Sequence, residues 1–320
     1  MREASVGRAG PESAMTATQS SAIFCAQVTK DYGRGRGVFQ LDLEVRQGEV
    51  FGFIGPNGAG KTTTIRVFMD LVRPDRGQVH ILGMDARRDS LAIKRKVGYL
   101  PGELAQFPGA TAAYVIGLLA GLRGGVDTAR IKLLADRFEL DLGRKYEELS
   151  HGNKQKVAVV QAFMHEPELL ILDEPTLGLD PLMQREFRGL VRETVKAGAT
   201  VFLSSHVLSE VQQVCDRVGL IRAGRLVQVG SLEQLRALRS HRVEARIERA
   251  VEERAVRAVP GVTDATIEDH LVSCTVEGPM APLLHVLDAA GIVELDSRER
   301  SLEEVFFAQY GTPEAAGAGR

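Results

Sequence analysis

The sequence predicts an α/β protein in which a central, mostly parallel sheet carries an antiparallel β subdomain and a helical insert, with a small α+β module after it. Two apolar runs, residues 169–172 and 200–203, lack polar alternation, which is typical of parallel strands buried on both faces. A helical pattern at 181–196 lies between them, and this is the βαβ order of a parallel sheet. Beyond residue 241 the pattern changes to short strands and helices in the order βαββαβ.

Length and composition set the first limits. The chain has 320 residues, of which 44% are hydrophobic, so it is long enough for one large domain and a smaller one. Its net charge of -2 gives no overall basic field, and we therefore expect no nucleic-acid partner. The longest apolar run, residues 112–122, is shorter than the ~20 residues of a membrane-spanning helix. A role at a membrane would therefore require a partner.

Changes in composition define the domains. Residues 21–236 are predicted to form the main domain, with a helical insert at about 102–165, and a polar segment near 236–242 is predicted to be a linker. Residues 241–311 form the predicted C-terminal module, which has the order of a ferredoxin-like fold. It contains no catalytic cluster, so we expect it to support a dimer or to have a regulatory role. The alternative is that it senses a ligand.

The remaining segments carry no chemistry. Residues 1–20 and 312–320 lack an apolar core segment and are predicted to be disordered tails, and a helix at 302–310 is expected to close the module.

The three cysteines are far apart and match no metal-ligand spacing. We expect them to be reduced thiols of a cytoplasmic protein: Cys25, Cys215 and Cys274.

The main domain begins with strand-like segments. Alternation of apolar and polar residues at 38–45 predicts a half-exposed antiparallel layer, together with strands at 24–28 and 78–82. The apolar run at 49–54 is followed at once by a glycine-rich segment and then by a helical pattern at 62–71.

This glycine-rich segment fits the pattern G-x-x-x-x-G-K-[ST]. Glycines let consecutive backbone N–H groups converge on phosphate oxygens, and the helix that follows directs its N-terminus at the anion. Lys61 supplies a cation for the β- and γ-phosphates, and Thr62 can offer its hydroxyl to Mg²⁺. The sequence therefore predicts a P-loop NTPase that binds nucleotide phosphate through Gly55, Pro56, Asn57, Gly58, Ala59, Gly60, Lys61, Thr62 and Thr63.

Two adjacent carboxylates, Asp173 and Glu174, end the apolar strand at 169–172. The carboxyl edge of a parallel sheet is where α/β proteins bind ligands. Two acids after a buried strand are costly without a cation. We expect Asp173 to hold Mg²⁺ together with Thr62, and Glu174 to orient or deprotonate the attacking water.

The order of motifs resembles the ATP-binding subunit of ABC transporters. The residues that carry the resemblance are the P-loop, the segment Leu149-Ser150-His151-Gly152-Asn153-Lys154-Gln155, the pair Asp173-Glu174, the segment Gly178-Leu179-Asp180, and His206. The resemblance covers residues from about 22 to 236. It implies an ATPase that binds ATP and Mg²⁺ between two copies of the chain arranged head to tail.

The resemblance also implies roles for single residues. Tyr32 is expected to stack on adenine, and Ser150 with Gly152 is expected to contact the γ-phosphate of ATP held by the second copy. His206 would touch the γ-phosphate and orient Glu174, and Asp180 would link the two sites across the dimer. From the residues alone, Asp180 is predicted to be a helix N-cap.

Two positions depart from the family pattern. Gly102 stands where the family usually has a glutamine that binds Mg²⁺, and Glu103 is the candidate to replace it as a metal ligand. We call residues 149–155 the signature segment. In it, His151 and Asn153 stand where the family more commonly has glycine and glutamine. Ser150 and Gly152 remain, so the phosphate contact is expected to remain.

The favoured hypothesis is an ATPase that energises a separately encoded transmembrane subunit and lies peripherally on the inner face of the cell membrane. The C-terminal module and the short loop after residue 100 resemble the branch that exports drugs, cations or lipids. Alternatives are an importer ATPase, a soluble ABC-type clamp acting on DNA or ribosomes, and a P-loop kinase. The clamp is disfavoured because there is no second cassette and no basic stripe with aromatic residues.

Overall fold

The computed structural model describes residues 21–232 and 240–299, which belong to two compact units that divide between Gly230 and Ser231. The predicted tails, the predicted helix at 302–310 and most of the predicted linker lie outside the described residues. Each unit is described by itself.

The first unit contains an antiparallel sheet of the order β2-β1-β4-β5. On β2 every second residue is buried from Val38 onward, apart from one irregular step near Gln40, so one face packs and the other meets solvent. This confirms the predicted antiparallel subdomain. The strands are β1 (Ser21–Asp31), β2 (Gly37–Arg46), β4 (Arg76–Ile81) and β5 (Met84–Asp85).

The central sheet has the order β10-β9-β3-β8-β7-β6. The strands β6, β7, β8, β3 and β9 pair in parallel, so their carboxyl ends meet at one edge. All residues of β3, β7 and β8 are buried, as their uninterrupted apolar runs predict. The strands are β3 (Val50–Ile54), β6 (Val97–Leu100), β7 (Leu169–Asp173), β8 (Thr200–Ser205), β9 (Arg217–Arg222) and β10 (Arg225–Ser231).

Aromatic packing fixes the centre of this sheet. The ring of Phe202 on β8 lies 5.9 Å from the ring of Phe51 and 5.5 Å from those of Phe53 and Phe68, between ring centroids. All four side chains are fully buried. The cluster joins β3, β8 and the first helix, and it therefore holds the two strands from which the site described below extends.

Helices cover the central sheet and form the insert. Helix α6 has the predicted bounds. Helix α5 begins at His151 because Ser150 caps it, accepting a hydrogen bond from the Asn153 N–H. The helices are α1 (Lys61–Phe68), α2 (Ser90–Lys96), α3 (Ala112–Leu122), α4 (Thr128–Arg137), α5 (His151–Phe163), α6 (Pro181–Lys196) and α7 (Leu208–Val211).

The second unit is a four-stranded antiparallel sheet of the order β12-β13-β11-β14 with both of its helices on one face. This is the strand order of the predicted βαββαβ module. Its elements are β11 (Ser240–Ile247), α8 (Glu253–Arg257), β12 (Val262–Glu268), β13 (Leu271–Glu277), α9 (Ala281–Ala289) and β14 (Ile292–Glu299).

None of the helices within residues 21–232 and 240–299 is both long and apolar enough to cross a bilayer.

The close approach of Gly98 to a helix backbone gives a stability test. A Cβ at Gly98 would lie 2.2 Å from the Ala162 carbonyl oxygen, so Gly98→Ala forces β6 away from α5. We expect a loss of about 1–3 kcal/mol in the free energy of unfolding by urea. Gly117→Ala on α3 is the matched control, because nothing lies within 4 Å of its Cβ position, and it should raise the free energy by about 0.5–1 kcal/mol. Equal stability of the two variants would contradict this packing.

Candidate functional site

The P-loop lies between β3, which ends at Ile54, and α1, which begins at Lys61. Gly60 has a φ of 109°, a left-handed conformation that favours glycine. At Gly55 a Cβ would lie 2.3 Å from the Ile221 carbonyl oxygen, so only glycine fits without a backbone shift. The loop is therefore a strand-to-helix turn in which the N-terminus of α1 faces the bend, as an anion site requires.

Lys61 is held over this loop. Its Nζ donates to the carbonyl oxygens of Gly55 at 2.6 Å and Pro56 at 3.3 Å, and it lies 3.2 Å from Oε1 of Glu174. The Lys61 side chain is 7% exposed. A buried ammonium group needs such partners. Phosphate oxygens entering the loop would compete with Glu174 for it.

Asp173 is the most deeply buried acid of the site, with no exposed surface. Its Oδ1 accepts a hydrogen bond from Ser204 Oγ at 2.5 Å. Its Oδ2 is buried and has no hydrogen-bond partner in the described part of the chain. An unpaired buried carboxylate oxygen is costly, so this atom fits a divalent cation.

Mg²⁺ fits this donor set. It is usually bound by one or two carboxylates together with substrate phosphates and water, rather than by an all-protein cage. Within the described ranges no group of three or more His, Cys, Asp or Glu side chains is placed to hold a metal. Asp173 and the half-buried Thr62 at the start of α1 are therefore suited to a metal that arrives with a nucleotide.

Glu174 lies between the P-loop lysine and a histidine. Its Oε2 is 2.9 Å from Nδ1 of His206, and its Oε1 faces Lys61. Glu174 has a φ of 49°, a strained conformation for this residue, and its N–H donates to Ser204 Oγ at 3.1 Å. These contacts hold the Glu174 carboxylate in one place beside the P-loop. The His206 side chain is 41% exposed, so this part of the site is open to solvent.

Two residues of the site were not predicted. Ser204 binds both Asp173 and the Glu174 N–H, and Gln155 donates from Nε2 to the carbonyl oxygens of Pro175 at 2.9 Å and Glu174 at 3.3 Å. Gln155 is 3% exposed and Ser204 is fully buried. Two signals in the sequence could have identified them. One is a serine near the end of an apolar strand, and the other is a glutamine within the signature segment.

The signature segment packs against the turn that follows Glu174. A Cβ on Gly152 would lie 2.5 Å from the Gly178 carbonyl oxygen, so both glycines are needed for this approach. Ser150 caps α5, and Asp180 caps α6 by accepting from the Met183 N–H at 3.0 Å. Within one chain, the contact of Gly152 with Gly178 therefore brings the capped starts of α5 and α6 close together.

Tyr32 follows β1 and is 46% exposed. Its turn leads to Gly37, whose carbonyl oxygen is 3.0 Å from the position of a Cβ on Gly60. The tyrosine therefore belongs to a hairpin that borders the P-loop, with Lys30 Nζ 5.6 Å from its ring centroid. Stacking on a base stays a prediction.

The loop after β6 places Gly102 against the buried acid. A Cβ on Gly102 would lie 2.8 Å from Oδ2 of Asp173, so there is no room here for a side chain without a shift. The neighbouring Glu103 is directed elsewhere: its Oε2 lies 3.2 Å from Nη2 of Arg66, and its side chain is 87% exposed. Its role as a metal ligand stays a prediction. Burial, and then the charge of Asp173, raises the pKa of Tyr99 to about 12.

Comparison with known proteins places this site in a family. The model of the family described as "ABC transporter" matches residues 38–177. The daunorubicin resistance ATP-binding protein DrrA3 of Streptomyces coeruleorubidus is 35% identical over 299 residues, which cover 89% of this chain and 95% of that protein. The bacitracin transport ATP-binding protein BcrA of Bacillus licheniformis is 36% identical, with 65% of this chain and 69% of that protein covered.

A solved structure of an "ATP binding subunit of ABC transporter" superposes with a TM-score of 0.63 at 31% identity and covers 68% of this chain and 92% of that chain. The match to DrrA3 covers most of both chains at more than 30% identity, and the solved structure shares the fold. The chain therefore belongs to the family of ATP-binding subunits of ABC transporters.

Proposed function

We propose that the chain hydrolyses ATP with Mg²⁺ and uses the energy to drive export of a drug or antibiotic through a separate transmembrane subunit. The observation that carries the ATPase proposal is the contact of Glu174 with both Lys61 and His206, beside the buried Oδ2 of Asp173. The names of the relatives, which refer to daunorubicin resistance and bacitracin transport, support the class of substrate.

Each residue has one task in this proposal. Lys61 and the loop N–H groups bind the phosphates, and Thr62 with Asp173 would hold Mg²⁺, which supplies charge neutralisation on the phosphate oxygens when bound. Glu174 leaves Lys61 when phosphate takes its place, and its free carboxylate accepts a proton from the attacking water. His206 holds Oε2 of Glu174 and so fixes the direction of the other oxygen.

Completion of the site by a second copy is part of the proposal. Ser150 caps α5, a helix of 13 residues, and Gly152 lies in its first turn; the exposed Ser150 leaves this end accessible. In a head-to-tail dimer the positive end of α5 would face the γ-phosphate bound by the other copy. Asp180, in the turn packed on Gly152, would then lie at the contact between the two copies.

Helix α3 is the proposed contact with the transmembrane subunit. It contains no charged residue, although one face is open to solvent. Tyr114, Leu118 and Leu122 recur every four residues along this face and are 63%, 43% and 75% exposed. An uncharged helix with large exposed apolar residues normally lies against a partner. This contact would hold the chain on the inner face of the membrane.

Glu174→Gln tests the assigned base. The amide cannot accept the proton from water, so we expect turnover to fall by about 10²- to 10⁴-fold while ATP still binds and holds two copies together. Phosphate release and sedimentation velocity with ATP and Mg²⁺ measure both effects. Glu168→Gln, at the exposed pair with Lys96, is the matched control and should behave as the parent does. A variant that remains monomeric with saturating ATP would contradict the shared site.

Ser204→Ala tests the support of the two acids. It removes the hydrogen bonds to Oδ1 of Asp173 and to the Glu174 N–H, which leaves a buried charged acceptor unsatisfied at a cost of about 1–3 kcal/mol. We expect turnover to fall about tenfold and the Mg²⁺ concentration for half-maximal activity to rise, corresponding to about 1.4 kcal/mol. Ser209→Ala, at an exposed position of α7, serves as the control. An unchanged Mg²⁺ requirement would refute the role of Ser204.

Leu118→Glu combined with Leu122→Glu tests the partner contact. A charge on the exposed face should prevent co-purification in detergent with a co-expressed transmembrane subunit. ATPase activity of the separate chain should be retained, because these residues lie outside the nucleotide site. Leu133→Glu on α4, at a side chain that is 53% exposed, is the control. Co-purification of the double variant at the parental level would exclude this face.

A further inference from the structure

One arginine joins three elements of the first unit. Arg123 directly follows α3, and its guanidinium donates to the carbonyl oxygen of Lys94 at 2.9 Å and to that of Val97 at 3.2 Å. Its Nη1 also lies 2.9 Å from Nε2 of His165, in the turn after α5. The half-buried Arg123 forms no ion pair with a carboxylate of the described residues. Hydrogen bonds to backbone carbonyl groups therefore stabilise its charge.

The histidine in this contact stays neutral near pH 7. Burial, and then the charge of Arg123, lower the pKa of His165 to about 4. A neutral imidazole has one acceptor nitrogen, so the ring can accept a hydrogen bond from Arg123 without charge repulsion. Arg123 therefore ties the end of α3 to the end of α2, to the start of β6 and to the turn after α5.

Strand β6 lies at the edge of the central sheet, and among the described strands it pairs only with β7. The carbonyl oxygens on its open side accept hydrogen bonds from side chains instead. Arg123 donates to Val97, and Nε2 of Gln161 on α5 donates to Tyr99, two residues further along the strand. The position of β6 on its open side is therefore set by α3 and α5.

The other end of β6 leads to the carboxylate that is suited to a metal. The strand ends at Leu100, and a Cβ on Gly102 would lie 2.8 Å from the buried Oδ2 of Asp173. Oδ1 of the same carboxylate is held by Ser204, so Oδ2 stays directed at this loop. A cation that binds Oδ2 therefore requires the loop at Gly102 to move.

We infer that Arg123 is a positioning residue that couples the exposed face of α3 to the nucleotide site. β6 is short and hydrogen-bonded along its length, so a displacement of the loop at Gly102 is passed to Val97 and, through the guanidinium, to the end of α3. Contact of a transmembrane subunit with α3 would act on the loop in the opposite direction, and this part rests on the proposed function. Coupling between two sites is reciprocal, so the link can be tested in the chain alone.

The test is amide hydrogen exchange of the full chain with and without Mg²⁺ and AMP-PNP, a non-hydrolysable ATP analogue. In the parent, bound nucleotide should change the exchange rates of residues 116–122 by about fivefold or more, the lower end of typical coupling between sites. In Arg123→Gln this change should be lost, while nucleotide still protects residues 55–63. Arg130→Gln on α4 is the matched control, because Arg130 is also half-buried but contacts Glu166, at 3.9 Å, rather than β6.

Arg123→Lys is the second variant if Arg123→Gln does not fold. It keeps the charge but has a single nitrogen in place of the guanidinium fork, so the response of residues 116–122 should be weaker than in the parent.

A co-expressed transmembrane subunit gives an independent measurement. Arg123→Gln should co-purify with it as the parent does, yet lose the stimulation of ATP hydrolysis that the subunit causes. A parent that does not co-purify contradicts the proposed function, and the exchange result then decides the inference by itself. The inference is overturned if residues 116–122 of the parent do not respond to nucleotide, or if the Arg123 variants respond to nucleotide or to the subunit as the parent does.

Discussion

The site depends on the burial of one carboxylate, that of Asp173, at the end of a strand with no exposed residue. A buried charge must be balanced by hydrogen bonds or by a cation, and Ser204 satisfies only one of its two oxygens. Because β7 and β8 are parallel neighbours, the serine that binds Asp173 also precedes His206 by two residues. The balance of one charge thus fixes the positions of Glu174 and His206 relative to the P-loop.

Close backbone approaches connect these residues to other elements of the first unit. Gly102 leaves its loop in contact with Asp173, and Gly152 brings the signature helix against the turn at Gly178. Gln155 then ties the same helix to the backbone after Glu174. A displacement of α5 would therefore act on Glu174 through the backbone rather than through the solvent. In the proposed dimer, a second copy that contacts the start of α5 would influence Glu174 of the first site by this route.

Much of this could be predicted from the sequence, because strong patterns report backbone and burial directly. The uninterrupted apolar runs of β7 and β8 and the spacing of the P-loop residues were enough to predict the central sheet and the edge that carries the site. The strands β9 and β10 were not predicted, because their residues mix charged and apolar types without a clear period. The direction of Glu103 towards Arg66 depends on the fold around a loop, and local sequence does not encode it.

The C-terminal module shows the same limit in another form. Alternation along β11 and β14 reveals which residues share a face, but the like-charge rows arise only from the pairing of Arg242 with Arg298 and Glu244 with Asp296. Register, which strands separated by 44 or more residues establish in the folded state, creates the rows. A shift of one residue along β11 would turn the other side chains of β14 to this face, so neither strand alone predicts these pairs.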